Sequence, residues 1–110
     1  MGVQKNFASL LDATAHRFPD RRALIWDGGV LTYRALGARV GGFARFLAAH
    51  GVRPGDRVAL AIENRWPFPV ACLAALRLGA TVVPLDPRLT ADERRAILDD
   101  LGPARVVTEV

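Results

Sequence analysis

Few side chains in this chain have the type and setting for chemistry. Asp86 follows an apolar run, and a carboxylate at the carboxyl end of a strand is where open α/β sheets gather their sites. The pair Asp86-Pro87 reads first as a turn starter. Asn64-Arg65-Trp66 follows the end of another apolar run. Trp66 is placed to touch a ligand, but as the residue before a proline it is expected to pack over the start of a helix. Cys72 is the only cysteine, so no internal disulfide is possible. It lies among Val70, Ala71, Leu73 and Ala74, with no His or Asp pattern around it, and reads as a small buried hydrophobe. His16 points away from its helix's apolar stripe and reads as solvent-exposed. Gly28-Gly29 tempts as a phosphate loop, but it is short and no helix follows it directly. It reads as a hairpin turn, its glycines supplying the positive φ of a tight turn.

The negative results are as informative. The sequence has no GxxxxGK[ST] and no GxGxxG, no Cys/His set with zinc spacing, and no Ser-His-Asp arrangement. Arg77-Leu78-Gly79-Ala80 is a helix end followed by a strand, the reverse of the strand–loop–helix order that cradles phosphate. No catalytic, cofactor-binding or metal-ligating residue is assigned.

The elements that would carry such residues centre on Gly55 to Pro87, read as strand, helix, strand. Val58 to Ile62 is a short continuous apolar run of the kind a strand buried on both faces shows. Ala59 and Ala61 give it one small-residue face for close helix packing. Pro67 and Pro69 open a helix, where a missing N–H is tolerated. It runs to about Leu78 and stops at Gly79. Thr81-Val82-Val83 starts a second strand that Pro84 ends. Strand, crossover and strand make a βαβ unit.

Before this unit, Asn6 is expected to cap a helix from Phe7 to Arg17, with Phe7, Leu10, Leu11, Thr14 and Phe18 on one face. Ala23–Trp26 and Val30–Tyr33 flank Asp27-Gly28-Gly29 as a β-hairpin. Thr32 caps a long helix to His50, whose stripe is Tyr33, Leu36, Val40, Phe43 and Leu47. Ala35 stands where the acid of a capping box would be. The Gly37-to-Gly41 spacing permits close packing. After the central unit, Thr90-Ala91-Asp92-Glu93 is a complete capping box. It opens a helix with Ile97, Leu98 and Leu101 inward, and Arg105 to Val110 is a final strand.

The fold class is therefore α/β: N-terminal helix and β-hairpin, long helix, then a βαβαβ parallel-sheet unit. Residues 1–53 form the helix–hairpin–helix part and residues 54–110 the βαβαβ part. Three segments carry a resemblance: LTYRAL at Leu31–Leu36, GVRPGDRVAL at Gly51–Leu60, and ACLAALRLGATVVPLDP at Ala71–Pro87. Their order and spacing resemble the N-terminal part of the acyl-adenylate-forming (AMP-dependent) synthetase and ligase superfamily, and the resemblance covers nearly the whole chain. It implies an N-terminal piece of an acyl-CoA synthetase-like enzyme. The parent would activate a carboxylic acid with ATP and Mg²⁺ and pass the acyl group to coenzyme A or a carrier pantetheine. The family's phosphate loop, ribose-binding aspartate and C-terminal lysine have no counterpart here. The 110 residues alone are expected to be inactive and to hold none of these cofactors. The family division also places the hairpin and the βαβ region in different subdomains.

Composition fits that picture. Of 110 residues, 51% are hydrophobic and 24% charged, a globular balance. The net charge of +4 comes from scattered arginines, many beside Asp or Glu, so nucleic acid is not expected as a partner. No apolar run reaches membrane-spanning length and no signal peptide is legible, so the chain reads as cytoplasmic. The alternative function is a stand-alone α/β interaction module without catalysis. The helix at Pro67–Leu78 covers one side of the parallel sheet and the helix at Ala91–Leu101 the same side or the other; a sheet with one bare face is expected to leave the chain marginally stable, dye-binding and self-associating.

Overall fold

The computed structural model describes residues 3–62, 66–103 and 105–108, and of residues 3–8 only the helical backbone. The order is α1 (Val3–Arg17), β1 (Arg22–Trp26), β2 (Gly29–Thr32), α2 (Tyr33–Ala49), β3 (Arg57–Leu60), α3 (Phe68–Arg77), β4 (Thr81–Pro84), α4 (Ala91–Leu101) and β5 (Arg105–Val107). β1 and β2 form an antiparallel hairpin, and the other strands form a parallel sheet in the order β4-β3-β5.

Local chemistry explains most boundaries. The Thr32 hydroxyl accepts from the Ala35 N–H at 3.2 Å and caps α2. At α4 the capping box is complete: Glu93 N–H donates to the Thr90 hydroxyl at 3.1 Å, and Thr90 N–H donates to the Glu93 carboxylate at 2.9 Å. Gly79 follows α3 at φ 76° and Gly102 follows α4 at φ 58°, left-handed conformations that glycine adopts freely. Pro84 is the last residue of β4, paired with Leu60.

Other expectations are corrected. α1 begins at Val3, so Asn6 lies inside the helix rather than capping it; no Gly or Pro interrupts the run from Val3 to Arg17. Leu10 is 65% exposed, whereas Leu11 packs on the core. Phe7's side chain lies outside the described residues. β3 ends at Leu60, and Ile62 lies in the bend beyond it. β5 is described only to Val107; Glu109 and Val110 lie outside the described residues.

Among the described strands of this sheet, β3 is covered on both faces: Val58, Ala59 and Leu60 are fully buried, while on the edge strands Val82, Val83 and Val106 are half-buried and Val107 is buried. The faces have different covers. Val58, Leu60 and Val107 join Val70, Ala71, Ala74 and Ala75 of α3 in the main core. Ala59, Ala61 and Leu85 pack instead with Ile97 and Leu98 of α4. The two helices thus lie on opposite faces, which overturns the expected bare face. The α4 cover is thin, since none of its side chains is fully buried. Leu36, Val40, Ala44 and Leu47 of α2 belong to the same core as α3 and β3, so one apolar cluster spans both parts of the sequence.

Leu47 is fully buried, and Leu47→Ala is expected to lower unfolding free energy by about 2–5 kcal/mol. Leu10→Ala should change it by no more than about 0.5 kcal/mol. Thr90→Ala should cost about 1 kcal/mol through the lost cap. Urea denaturation of the three variants measures all of these.

Candidate functional site

Two surfaces gather side chains that a ligand would meet. The first lies at the carboxyl ends of β3 and β4. Here Ile62, Phe68, Pro84, Leu85, Asp86 and Pro87 line a shallow groove of about 340 Å³. Asp86 is committed to its own turn. Its carboxylate accepts from the Arg88 backbone N–H at 2.9 Å and from the Arg88 guanidinium at 3.0 Å through both oxygens. The Asp86 carbonyl accepts from Leu89 N–H at 3.1 Å. The side-chain and backbone hydrogen bonds from Arg88 hold the Asp86 carboxyl below the usual carboxylate range. That is the opposite of a proton donor tuned for neutral pH, and it agrees with the turn reading.

The second surface is aromatic and was not foreseen as a unit. Trp26, from the hairpin, and Trp66, before α3, stack with ring centroids 4.6 Å apart and planes 10° apart. The Arg39 guanidinium of α2 lies 5.4 Å from the Trp66 ring centre. Beside this stack, Arg39, Gly42, Phe43, Phe46, Trp66 and Val70 line a groove of about 530 Å³. Phe43 and Phe46 stack at 5.5 Å, His50 lies 4.2 Å from Phe46, and Arg105 of β5 stands 6.0 Å from the Phe46 ring centre. Phe46 is 43% exposed. Its position off the main stripe of α2, and Trp66 after a strand end, were the sequence signals for this groove.

The stack also explains the hairpin glycine. A Cβ on Gly28 would sit 2.7 Å from Trp26 Nε1, while Gly28 itself has no positive φ. Space for the indole, rather than the expected backbone conformation, requires glycine there. The remaining candidates take structural places. His16 is exposed. Cys72 is half-buried, and burial pushes its thiol pKa up. Arg77 pairs with Asp12 and ties α3 to α1. Gly37 faces α1, where an added Cβ would meet Ala15 Cβ at 3.9 Å, but Gly41 meets only Arg45. Among the described residues no three His, Cys, Asp or Glu form a metal cluster, and no helix is long and apolar enough to cross a membrane.

Removing the partner should release Asp86: in Arg88→Gln its carboxyl pKa should rise toward the ordinary range, measured by carboxyl-carbon NMR titration. Because the folded value lies below the unfolded one, ionisation favours the fold. That contribution is complete above the unfolded pKa and fades as pH falls through the folded one. Cys72, with less thiolate at neutral pH, should react more slowly with iodoacetamide in the folded chain than in urea.

The model of the AMP-binding enzyme family matches residues 11–110. The 3-[(3aS,4S,7aS)-7a-methyl-1,5-dioxo-octahydro-1H-inden-4-yl]propanoyl:CoA ligase of Mycobacterium tuberculosis is 46% identical over 92 residues. That match covers 84% of this chain and 18% of the relative. The phosphinothricin tripeptide synthetase of Streptomyces viridochromogenes is 43% identical over 100 residues, covering 90% of this chain and 8% of the relative. The solved benzoate CoA ligase of Burkholderia xenovorans superposes with a TM-score of 0.82 at 31% identity, covering 91% of this chain and 20% of that one. The chain thus spans less than a fifth of the length of these curated relatives. It belongs to the AMP-binding enzyme family of adenylate-forming ligases and matches an N-terminal segment of it.

Proposed function

We propose that these residues are the N-terminal part of an ATP-dependent, carboxylic acid-activating ligase of the acyl-CoA synthetase type. The reaction this reading implies joins a carboxylate to ATP, giving acyl-AMP and pyrophosphate. A thiol of coenzyme A or of a carrier pantetheine then displaces AMP to give the thioester. The observation that carries the reading is the match of residues 11–110 to the family together with 46% identity to a coenzyme A ligase. A cytoplasmic setting goes with these cofactors.

The residues present do not by themselves make a holder for ATP, Mg²⁺ or coenzyme A. Asp86 is engaged by Arg88, the Gly28 turn is filled by the Trp26 indole, and the described residues offer no metal cluster. No catalytic step is therefore routed through them. Their part in the proposed ligase is to build a three-stranded parallel sheet.

The test is carboxylate-dependent exchange of pyrophosphate into ATP. The purified 110-residue chain should show none, and a longer protein of this family beginning with these residues should exchange with at least one acid from an alkyl and aryl panel. Exchange by the short chain would overturn its assignment as a non-catalytic part; inertness of the longer protein with every acid would count against the ligase reading.

A further inference from the structure

We propose that α4 is a strap that opens as a unit of its own, uncovering one face of the sheet while α2, α3 and β3 stay folded. This opening belongs to the 110-residue chain itself and does not depend on the ligase reading. The packing around β3 is divided. On one face α2 and α3 send Val40, Leu47, Val70 and Ala74 into the main core. On the other, α4 has no fully buried side chain. Its Ile97 and Leu98, both half-buried, rest on a separate cluster of Ala59, Ala61 and Leu85. Two of those three side chains are alanines, so opening returns little apolar surface to water.

The helix has little to hold it when undocked. Its 11 residues fall short of the length at which a helix persists alone in water. Asp99 and Asp100 stand in its last turn with no basic residue there, and acids at that end oppose the helix dipole. The Nε of Arg94 is buried with no hydrogen-bond partner among the described residues, a cost that opening relieves. Two local ties resist. One is the Thr90–Glu93 capping box. The other is the hydrogen bond from the exposed Arg57 side chain to the Leu101 carbonyl, which water can replace at small net cost. The Asp86–Arg88 turn after β4 and Gly102 before β5 tether both ends, so the open segment stays beside its seat and recloses.

Amide hydrogen exchange of the 110-residue chain, followed by NMR where the rate reports the opening equilibrium, tests this. The Ile97 and Leu98 amides should exchange at least about tenfold faster than those of Val40–Leu47 and Val58–Leu60. Low urea should barely change the first set and steadily accelerate the second, because the smaller opening exposes less surface. Leu47→Ala should accelerate the α2 and β3 amides by about thirtyfold or more and leave Ile97 and Leu98 unchanged, since Leu47 stays packed when α4 opens. Thr90→Ala should accelerate Ile97 and Leu98 by about fivefold. Should Leu47→Ala fail to fold, the urea dependence of the parent chain decides alone. Equal rates and equal urea dependence in α4 and α2, or acceleration of Ile97 and Leu98 by Leu47→Ala to the same extent as α2, would show that α4 opens only with the whole chain and would overturn the proposal.

Discussion

Helix α3 has the sheet on one side and α2 on the other, and both can come close because its inward positions are small. Ala71, Ala74 and Ala75 are fully buried, spaced by three and one along the helix, and Val70 is the one larger residue buried beside them. Alanine loses no side-chain rotamer freedom on burial and keeps helix axes near the short end of their packing range. Larger residues there would push α2 away from β3. The apolar volume is supplied instead by the partners: Val40 and Leu47 from α2, and Val58 and Leu60 from β3. Small side chains in the middle layer and large ones outside make a three-layer core from a short chain.

Other features follow from this arrangement. With α3 closely seated, the residue that precedes its N-terminal turn, Trp66, is brought against Trp26 of the hairpin. That contact joins the hairpin to the βαβ unit across about forty residues of sequence. Arg77, in the last turn of α3, reaches Asp12 and holds α1. On the other face of the sheet the alanines are on the strand rather than the helix: Ala59 and Ala61 receive Ile97 and Leu98. Arg57 at the start of β3 donates to the Leu101 carbonyl at 2.7 Å, satisfying one of the carbonyls the end of α4 leaves free.

Features decided within a few residues were legible in the sequence. The Thr90–Glu93 box, the Thr32 cap and the Asp86 turn are each settled by side chains reaching two or three residues along the chain, and the Gly79 stop by that residue's own left-handed backbone. Features decided by long-range packing were not. The sequence pattern does not say which face α4 takes; that depends on strand order, and β5 pairing with β3 rather than β4 carries α4 to the side opposite α3. Nor did the helical period separate Leu10 from Leu11, since the angle at which α1 crosses its neighbours decides which is wet. The aromatic groove was hidden for the same reason: its walls come from α2, the segment before α3 and, at the rim, β5. The absence of a motif set was readable directly, and the chemistry proposed for the family rests on sequence likeness rather than on a site built within these residues.

The central claim is that α2, α3 and β3 form one cooperative unit despite lying in two parts of the sequence. Native-state hydrogen exchange tests it most directly. The account predicts that amides of α2 around Val40–Leu47 and of β3 around Val58–Leu60 open with the same free energy, and that both respond equally to low concentrations of urea. Protection of β3 that persists while the α2 amides exchange freely would contradict it, and would show two units that merely touch.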